Sequence, residues 1–598
     1  MAGQGQVSDE EYNKGLDALS SLISGRVRAD GKNWSHAFDM MKIYLERLNL
    51  ENELSKLSVI HVAGTKGKGS TCAMIESILR HCGYKTGLYT SPHLIDVRER
   101  IRINGLPVDK ATFMRQLWAT FQILEDKADN DSGKPAYFRF LTLLGFKIFL
   151  ETQVDVAILE VGLGGRLDAT NCVREPVVCG VTPLGFDHMD LLGHTLPEIA
   201  REKAGIFKST RPAFTSPQRE DAAEALREVA ERVGTPLSSV RPLDEYRLGA
   251  GILVEDFKVG LSGAHQRENA ALAVRLAAEW EVLSGKGGEK AKQRAAAVRR
   301  GELPAEYIAG LEAVRWPGRG QIVQDYESNV NNSSTTSEDF ALSPVTSRLT
   351  FFLDGAHTAE SMATCGRWFA DAVEINEALS KEEEEQEEEE GRADSPHRVL
   401  VFNCMQERDP AALLQPLIAT LHDRGALPAH ALFVPPDSTY MKLGKVDDVP
   451  DLAWQLNLRQ VYEKMQKQHQ QAHIGSGGNG SSHNSSMLKN TVSKLQNGSS
   501  SNGIRAATQL PPLPSVLAAA GVPAVQDAAV GAVLPSLQHT IDWLRKCVRE
   551  SPKMKMHVLV TGSLYLVGDM LRILGNGNTS INESKTSEGG GGGSGGMN

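Results

Sequence analysis

The sequence predicts an α/β protein of two domains: an N-terminal, P-loop-type, mostly parallel sheet flanked by helices, and a smaller C-terminal α/β domain, with disordered insertions. Three observations carry this. Strand-like apolar runs alternate with helical periodicities through both halves of the 598 residues, the pattern of parallel βαβ units. A glycine-rich turn joins an early strand to the helix after it. Polar clusters stand just past later strands, at the carboxyl edge where open α/β sheets take their ligands.

The helical spacing of Phe38, Met41, Tyr44, Leu45 and Leu48 marks helices within 12–50. Residues 57–80 follow, LSVIHVAGTKGKGSTCAMIESILR. Val59, Ile60 and Val62 form a short β-prone run, and Ala73, Met74, Ile75, Ile78 and Leu79 recur at helical spacing. Between them Gly64, Gly67 and Gly69 let the backbone turn tightly and approach a ligand, while the helix start offers unpaired N–H groups and the positive end of its dipole. Such a turn suits phosphate, with Lys68 reaching the β/γ-phosphates and the hydroxyls of Ser70 and Thr71 at the helix start. The spacing departs from GxxxxGK[ST], because Gly69 follows the lysine, so a plain βα turn with a capping serine is the other reading.

Helices are expected next at 110–127 and 138–150, buried strands at 155–161 and 176–182, and helices at 196–203 and 220–233. Residues 246–260 read as β-structure, 269–284 as helix, and 286–300 as a charged, loosely patterned elaboration. Pro317 and Gly318 interrupt the chain as a hinge. The second half offers strands at 349–353, 399–403, 431–434 and 557–561, with helices at 360–373, 411–421, 534–549 and 566–574. Domains are therefore expected at 1–315 and 316–574, the latter carrying low-complexity insertions near 377–397 and 468–508, with a flexible Gly-rich tail at 575–598. A polar stretch at 327–338 reads as a loop.

The formal net charge of −10 owes much to the eight glutamates of 381–390, and no basic face for nucleic acid is indicated. Seven scattered cysteines without a CxxC pair favour reduced thiols and a cytoplasmic compartment. No apolar run matches a membrane span, and the acidic start lacks both a signal-peptide core and a transit-peptide composition, so a mitochondrial pool would need another start site. A monomer is the default expectation.

Three polar clusters follow strands. Glu160 ends an apolar strand and precedes Gly162, Gly164 and Gly165; a buried carboxylate there needs a cation partner or a metal. Asp187 and His188 follow the next strand and fit a divalent ion, though a lone histidine is more often structural. Asp354 and His357 follow the strand at 349–353. Arg319, just past the hinge, is a candidate phosphate contact, with a plain salt bridge as the alternative. Lys203 has a plain reading too, pairing with Glu198 or Glu202 on its helix. Together these parts suit phosphoryl transfer without naming an acceptor.

The ordered set HVAGTKGKGST, YTSPHLIDVRERIRING, PAYFRFLTLLGF, ILEVGLGGRLDATN, GVTPLGFDHMDLLGHTLPEIAREKAGIFK, HQRENAALA, WPGRGQ and FFLDGAHTAES closely resembles the folylpolyglutamate synthases, within the wider family of Mur-type amide ligases. RVLVFNCMQERDPAALL and HVLVTGSLYLVGDML extend the resemblance through the second domain. It implies a P-loop ATPase-like first domain and a reaction in which ATP, L-glutamate and a reduced folate give ADP, phosphate and a folate longer by one γ-linked glutamate. A folate carboxylate would attack the γ-phosphate, and the glutamate amine would displace phosphate from the resulting acyl phosphate.

The same resemblance places Gly67, Lys68, Gly69 and Ser70 on ATP, with Asn269, Arg319 and Asp354 as further nucleotide contacts. It places Ser91, Glu160 and His188 on magnesium, with potassium as a further candidate ion, and His357 near the ATP and glutamate sites. Lys203 falls where related ligases carry a carbamylated lysine, and Lys68, Lys203 and His357 form the implied catalytic set. His93, Arg98 and Arg100 resemble the segment near the folate site. The GTKGKGS turn with Lys66 looks like the eukaryotic-type enzyme, which disfavours dihydrofolate synthase activity; that activity, another Mur-type carboxylate–amine ligase, and a degenerate nucleotide switch are the rival readings.

Overall fold

A computed structural model describes residues 7–23, 34–128, 133–248, 257–325, 348–384, 396–438, 451–475, 531–551 and 554–575. β1 (Val59–Ala63), β2 (Thr86–Tyr89), β3 (Ile101–Ile103), β4 (Leu106–Pro107), β5 (Val156–Glu160), β6 (Val178–Val181), β7 (Ala213–Thr215) and β8 (Leu237–Ser239) form one sheet in the order β4-β3-β2-β5-β1-β6-β7-β8. Only the β2–β3 and β3–β4 pairs are antiparallel. β9 (Gln321–Gln324), β10 (Leu349–Leu353), β11 (His397–Phe402), β12 (His430–Phe433), β13 (Gly531–Val533) and β14 (Met556–Thr561) form a second sheet in the order β13-β12-β11-β14-β10-β9, parallel except for β9.

The central strands are mostly apolar because both of their faces are covered, with His61 of β1 and Glu160 at the end of β5 as buried polar exceptions. Ile60, Val62 and Ile158 enter one core with the helices Lys68–His81 and His265–Leu283, whereas Val59, Ala157 and Leu159 enter the opposite core with Tyr137–Thr152. The second sheet alternates likewise: Phe352, Leu400, Phe402 and Leu559 face the helices Ala359–Glu384 and Pro410–Asp423, while Phe351, Leu353, Val399, Val401, Val558 and Val560 face Leu537–Glu550 and Leu564–Gly575. Parallel strands put every strand-to-helix turn at one edge of a sheet. The helix-to-strand connections carrying residues 385–395 and 476–530, and the β9-to-β10 connection carrying 326–347, join at the opposite, amino edge.

Most expected elements are present, with boundaries shifted by a few residues. The differences have local causes. The helix begun near 360 continues to Glu384, because glutamate is a good helix former, and so runs into the segment expected as an insertion. A helix Ala453–Gly475 enters the Gln-rich segment in the same way. Residues 288–300 form a regular helix, Gly288–Arg300, whose Arg294 pairs with the buried Glu281. No strand is present within 246–260 among the described residues, only an isolated bridge at Arg247; 249–256 lie outside them. The expected loop at 327–338, residues 385–390 of the glutamate run, 476–502 of the Gln/Ser-rich segment and the tail from 576 also lie outside the described residues. All seven cysteines are free thiols. No helix among the described residues is long and apolar enough to cross a membrane.

Candidate active site

β1 sits between β5 and β6, so the loop at its carboxyl end is flanked by the ends of both neighbours. Gly64 (φ 149°) turns the chain, and Gly67 (φ 78°) opens the helix Lys68–His81 from the left-handed region. A Cβ at Gly67 would collide with the amide of Asn269, which is held in turn by Gln266 at 2.9 Å. Thr65 and Lys66 both donate backbone N–H groups to Pro183 O at 3.2 Å, and the Thr65 hydroxyl bonds both the carbonyl and the N–H of Gly185 at 3.1 Å. The loop is thereby fixed to the segment after β6, with its first-turn amides left for an anion. Lys68 lies over it, Nζ donating to Gly64 O at 3.1 Å and Thr65 O at 3.3 Å.

Lys203, the last residue of the helix Leu196–Lys203, donates to the same Gly64 carbonyl at 2.8 Å and is 4% exposed. Burial first, and the Lys68 charge second, push its amine down to about 7. The plain alternative of a partner on its own helix is not realised: Glu202 pairs with Arg166, and Glu198 closes a capping box with Thr195. Gly165 packs against the Lys203 backbone, where a Cβ would stand 2.6 Å from its carbonyl oxygen. Asp168 holds that glycine loop, Oδ2 accepting from the N–H groups of Gly162 and Leu163 at 3.0 Å and Oδ1 from the Thr170 hydroxyl at 2.6 Å.

Glu160 ends β5, is 5% exposed, and accepts the Ser91 N–H at 3.0 Å. Burial raises its carboxyl, while Lys68, the Ser91 N–H, Arg319 and Arg100 pull the other way. His188, half exposed at 42% and in the left-handed region at φ 50°, sets its Nε2 3.6 Å from Asp187 Oδ2. Burial lowers its basicity against the pull of Asp187. Among the described residues no three His, Cys, Asp or Glu side chains form a closed metal cage. A buried carboxylate, a hydroxyl-bearing serine bonded to it through its backbone, and a half-open imidazole suit a hard divalent cation that keeps waters and phosphate oxygens for its other positions.

The second domain closes the site. Asp354 follows β10, Oδ2 accepting from Gly320 N–H at 2.9 Å and Oδ1 from Ala356 N–H at 3.0 Å. Burial raises its carboxyl against the pull of Arg319 and His265. Arg319 is half-buried, with Asp354 and then Glu160 as its countercharges, one from each domain. His357 bonds Gly355 O through Nδ1 at 2.9 Å, which makes Nδ1 the donor and leaves Nε2 as the basic nitrogen; burial lowers its basicity. Asp187 accepts from Arg408 at 3.1 Å, and Lys66 pairs with Glu360.

A narrow cleft lies beside these groups, lined by His93, Glu99, Arg102, Trp316, Pro317 and Arg319 among others. Arg100 donates to His93 Nδ1 at 2.9 Å and lies over the Tyr137 ring, so it supports the cleft wall from behind. Arg98 is not brought there: Asp96, Tyr12 and the Val108 carbonyl occupy its guanidinium. Arg102 lines the cleft beside Arg319, stacked 5.0 Å over Trp316, whose indole also approaches Gly69.

Gly67, Lys68, Gly69, Ser70, Ser91, Glu160, Lys203, Asn269, Arg319, Asp354 and His357 thus gather around the phosphate loop and the interdomain cleft, with His188 at the margin. Sequence reasoning passed over Arg102, Trp316, Asp168, Glu360 and Arg408. Arg102 had a signal, since it stands in the basic run VRERIRI; the others become visible only through contacts between distant segments.

The Mur ligase middle domain family matches residues 62–277. A folylpolyglutamate synthase of Arabidopsis thaliana is 42% identical over 580 residues, covering 94% of this chain and 87% of its own. A mitochondrial folylpolyglutamate synthase of Bos taurus is 35% identical, covering 95% and 93%. The fold is shared with the structure of a bifunctional folylpolyglutamate synthase/dihydrofolate synthase from Yersinia pestis complexed with AMPPNP and Mn ion, at a TM-score of 0.56, 20% identity, and coverage of 94% and 97%. On these full-length relationships, the chain belongs to the folylpolyglutamate synthase family.

Proposed function

We propose that this chain is an ATP-dependent ligase that adds L-glutamate in γ-linkage to tetrahydrofolate and its polyglutamates through an acyl phosphate. The observation that carries this reading is the meeting of Lys68, Glu160 and Lys203 of one domain with Arg319, Asp354 and His357 of the other around one phosphate loop. A carboxylate is a poor electrophile until phosphorylated, and an acyl phosphate survives only where water is excluded, which a site between two packed domains supplies.

In the proposed reaction a folate carboxylate oxygen attacks the γ-phosphorus and ADP leaves. The glutamate amine then attacks the acyl carbon, phosphate departs, and the amine gives up its proton. Lys68 and the loop amides neutralise the phosphates. Arg319, with Asp354 as its countercharge, presents its planar fork to phosphate. His357, with Nε2 basic, takes the amine proton. Arg102, His93 and Trp316 offer an aromatic face and positive charge to a ring-bearing, carboxylate-tailed substrate. Ser91, Glu160 and His188 would hold magnesium, which when bound neutralises charge on the transferring phosphoryl group. The low basicity of Lys203 supports a finer reading: its neutral amine adds to CO₂ and releases a proton, giving a carbamate that serves as a further anionic ligand, with potassium as an additional ion. A boundary near 315, supported by the separate cores of the two sheets and the hinge at Pro317 and Gly318, completes the reading, together with a monomer and a cytoplasmic location with a mitochondrial pool.

The test is glutamate incorporation by the purified chain with Mg·ATP, run with tetrahydrofolate and with dihydropteroate. Incorporation with tetrahydrofolate alone, matched by ADP release, is expected. Incorporation with dihydropteroate would assign dihydrofolate synthase activity, and none with either substrate would overturn the ligase reading.

A further inference from the structure

We propose that Glu360 is a positioning residue for the ligase reaction, holding Lys66 of the phosphate loop so that the two domains dock in the one register that completes the site. This rests on the function proposed above. Glu360 lies in the first turn of the helix Ala359–Glu384 of the second domain, three residues after His357, and its carboxylate pairs with Lys66, two residues before Lys68. The pairing spaces the His357 turn from the phosphate loop.

The fit is steric as well as electrostatic. A Cβ at Gly185 would stand 2.6 Å from Glu360 Oε2, so the carboxylate rests against this glycine and would have to swing away if a side chain were added there. Gly185 and Lys66 are already joined within the first domain, through the Thr65 hydroxyl and through Pro183 O. A second pair crosses the same junction with the opposite polarity: Arg408 of the second domain donates to Asp187 at 3.1 Å. The first domain therefore presents a cation, Lys66, and an anion, Asp187, on either side of Gly185, each facing its complement in the second domain. A slipped docking would bring Lys66 toward Arg408 and Asp187 toward Glu360, so the polarity penalises wrong registers as well as favouring the right one. The Lys66 and Glu360 side chains are 29% and 56% exposed, so the pair shifts the docked population rather than holding up the fold.

The test compares Glu360→Gln, Lys66→Gln, the double variant and Gly185→Ala by steady-state kinetics and by amide hydrogen exchange in the phosphate loop. Glu360→Gln should lower kcat about two- to fivefold, as expected for a half-exposed pair, with the KM for ATP within about twofold. The double variant should be no worse than Lys66→Gln alone, and Gly185→Ala should reproduce the Glu360→Gln phenotype. The Thr65 and Lys66 amides should exchange faster in Glu360→Gln, a readout that needs no turnover. Unchanged kcat together with unchanged exchange, or simple addition of the two single losses, would overturn the proposal. A wild-type chain that incorporates no glutamate would count against the ligase reading, and the exchange comparison would still decide the pairing.

Discussion

The Nζ of Lys203 lies 2.8 Å from the carbonyl oxygen of Gly64, so the amine that ends one helix is bonded to the first residue of the phosphate loop. With its amine at about 7 in the folded chain against an ordinary 10.5, the unfolded chain carries between these values a proton that the folded chain lacks. Unfolding free energy therefore rises with pH through that window, by up to a few kcal/mol, and the cost of burying the charge is fully felt below pH 7. Lys203→Met should flatten this rise and be more stable than wild type at pH 6. Urea unfolding at pH 6, 8 and 9.5 in CO₂-free buffer measures it; an unchanged pH slope in the variant would contradict the burial argument.

In bicarbonate buffer the neutral fraction of that amine should take up CO₂. Intact mass should show one CO₂ per chain, lost on acidification and absent from Lys203→Met. An unmodified lysine in the magnesium-bound, active protein would refute carbamylation.

Lys68 sets its ammonium over two carbonyls of the phosphate loop, those of Gly64 and Thr65. Lys68→Ala should cost about 10²–10³ in kcat, the scale of removing a preorganised electrostatic stabiliser. Turnover within tenfold of wild type would exclude that role.

Gly67 is left-handed and faces Asn269, so Gly67→Ala combines backbone strain of roughly 1–3 kcal/mol with a collision. The KM for ATP should rise by at least an order of magnitude. Adding Asn269→Ala relieves only the collision, and the recovery should be partial; full recovery would mean that the left-handed conformation is not required.

Thr170 donates its hydroxyl to Asp168 and so accepts from His61, whose buried ring is held neutral down to about 3. Thr170→Val should destabilise the chain by about 1–3 kcal/mol, since it strands buried polar partners. It should also lower kcat, because Asp168 holds the glycine loop that packs on Lys203. Denaturant midpoints and turnover, measured together, would show whether both effects occur; loss of neither would remove the loop from the mechanism.

The fold was legible where apolar runs are short and bounded. Residues 349–353 were expected as a strand and form β10, since LTFFL is buried on both faces and stops at Asp354. The short strands β7 and β8 were not legible, because three residues carry no period. The helix Ala453–Gly475 was missed because its glutamines and histidines mask a narrow apolar stripe. In the site, the phosphate loop is local in sequence and could be read. Glu360 and Arg408 could not: their partners lie 294 and 221 positions away, and only the docking of two sheets makes a glutamate and an arginine into a pair.

The long polar segments join at the amino edge of the second sheet, whereas the chemistry sits beyond the carboxyl ends of the strands. A connection joined at that edge can lengthen without placing residues between the strand ends that carry the chemistry. The same geometry marks 476–530 as the place to splice a reporter domain into the enzyme.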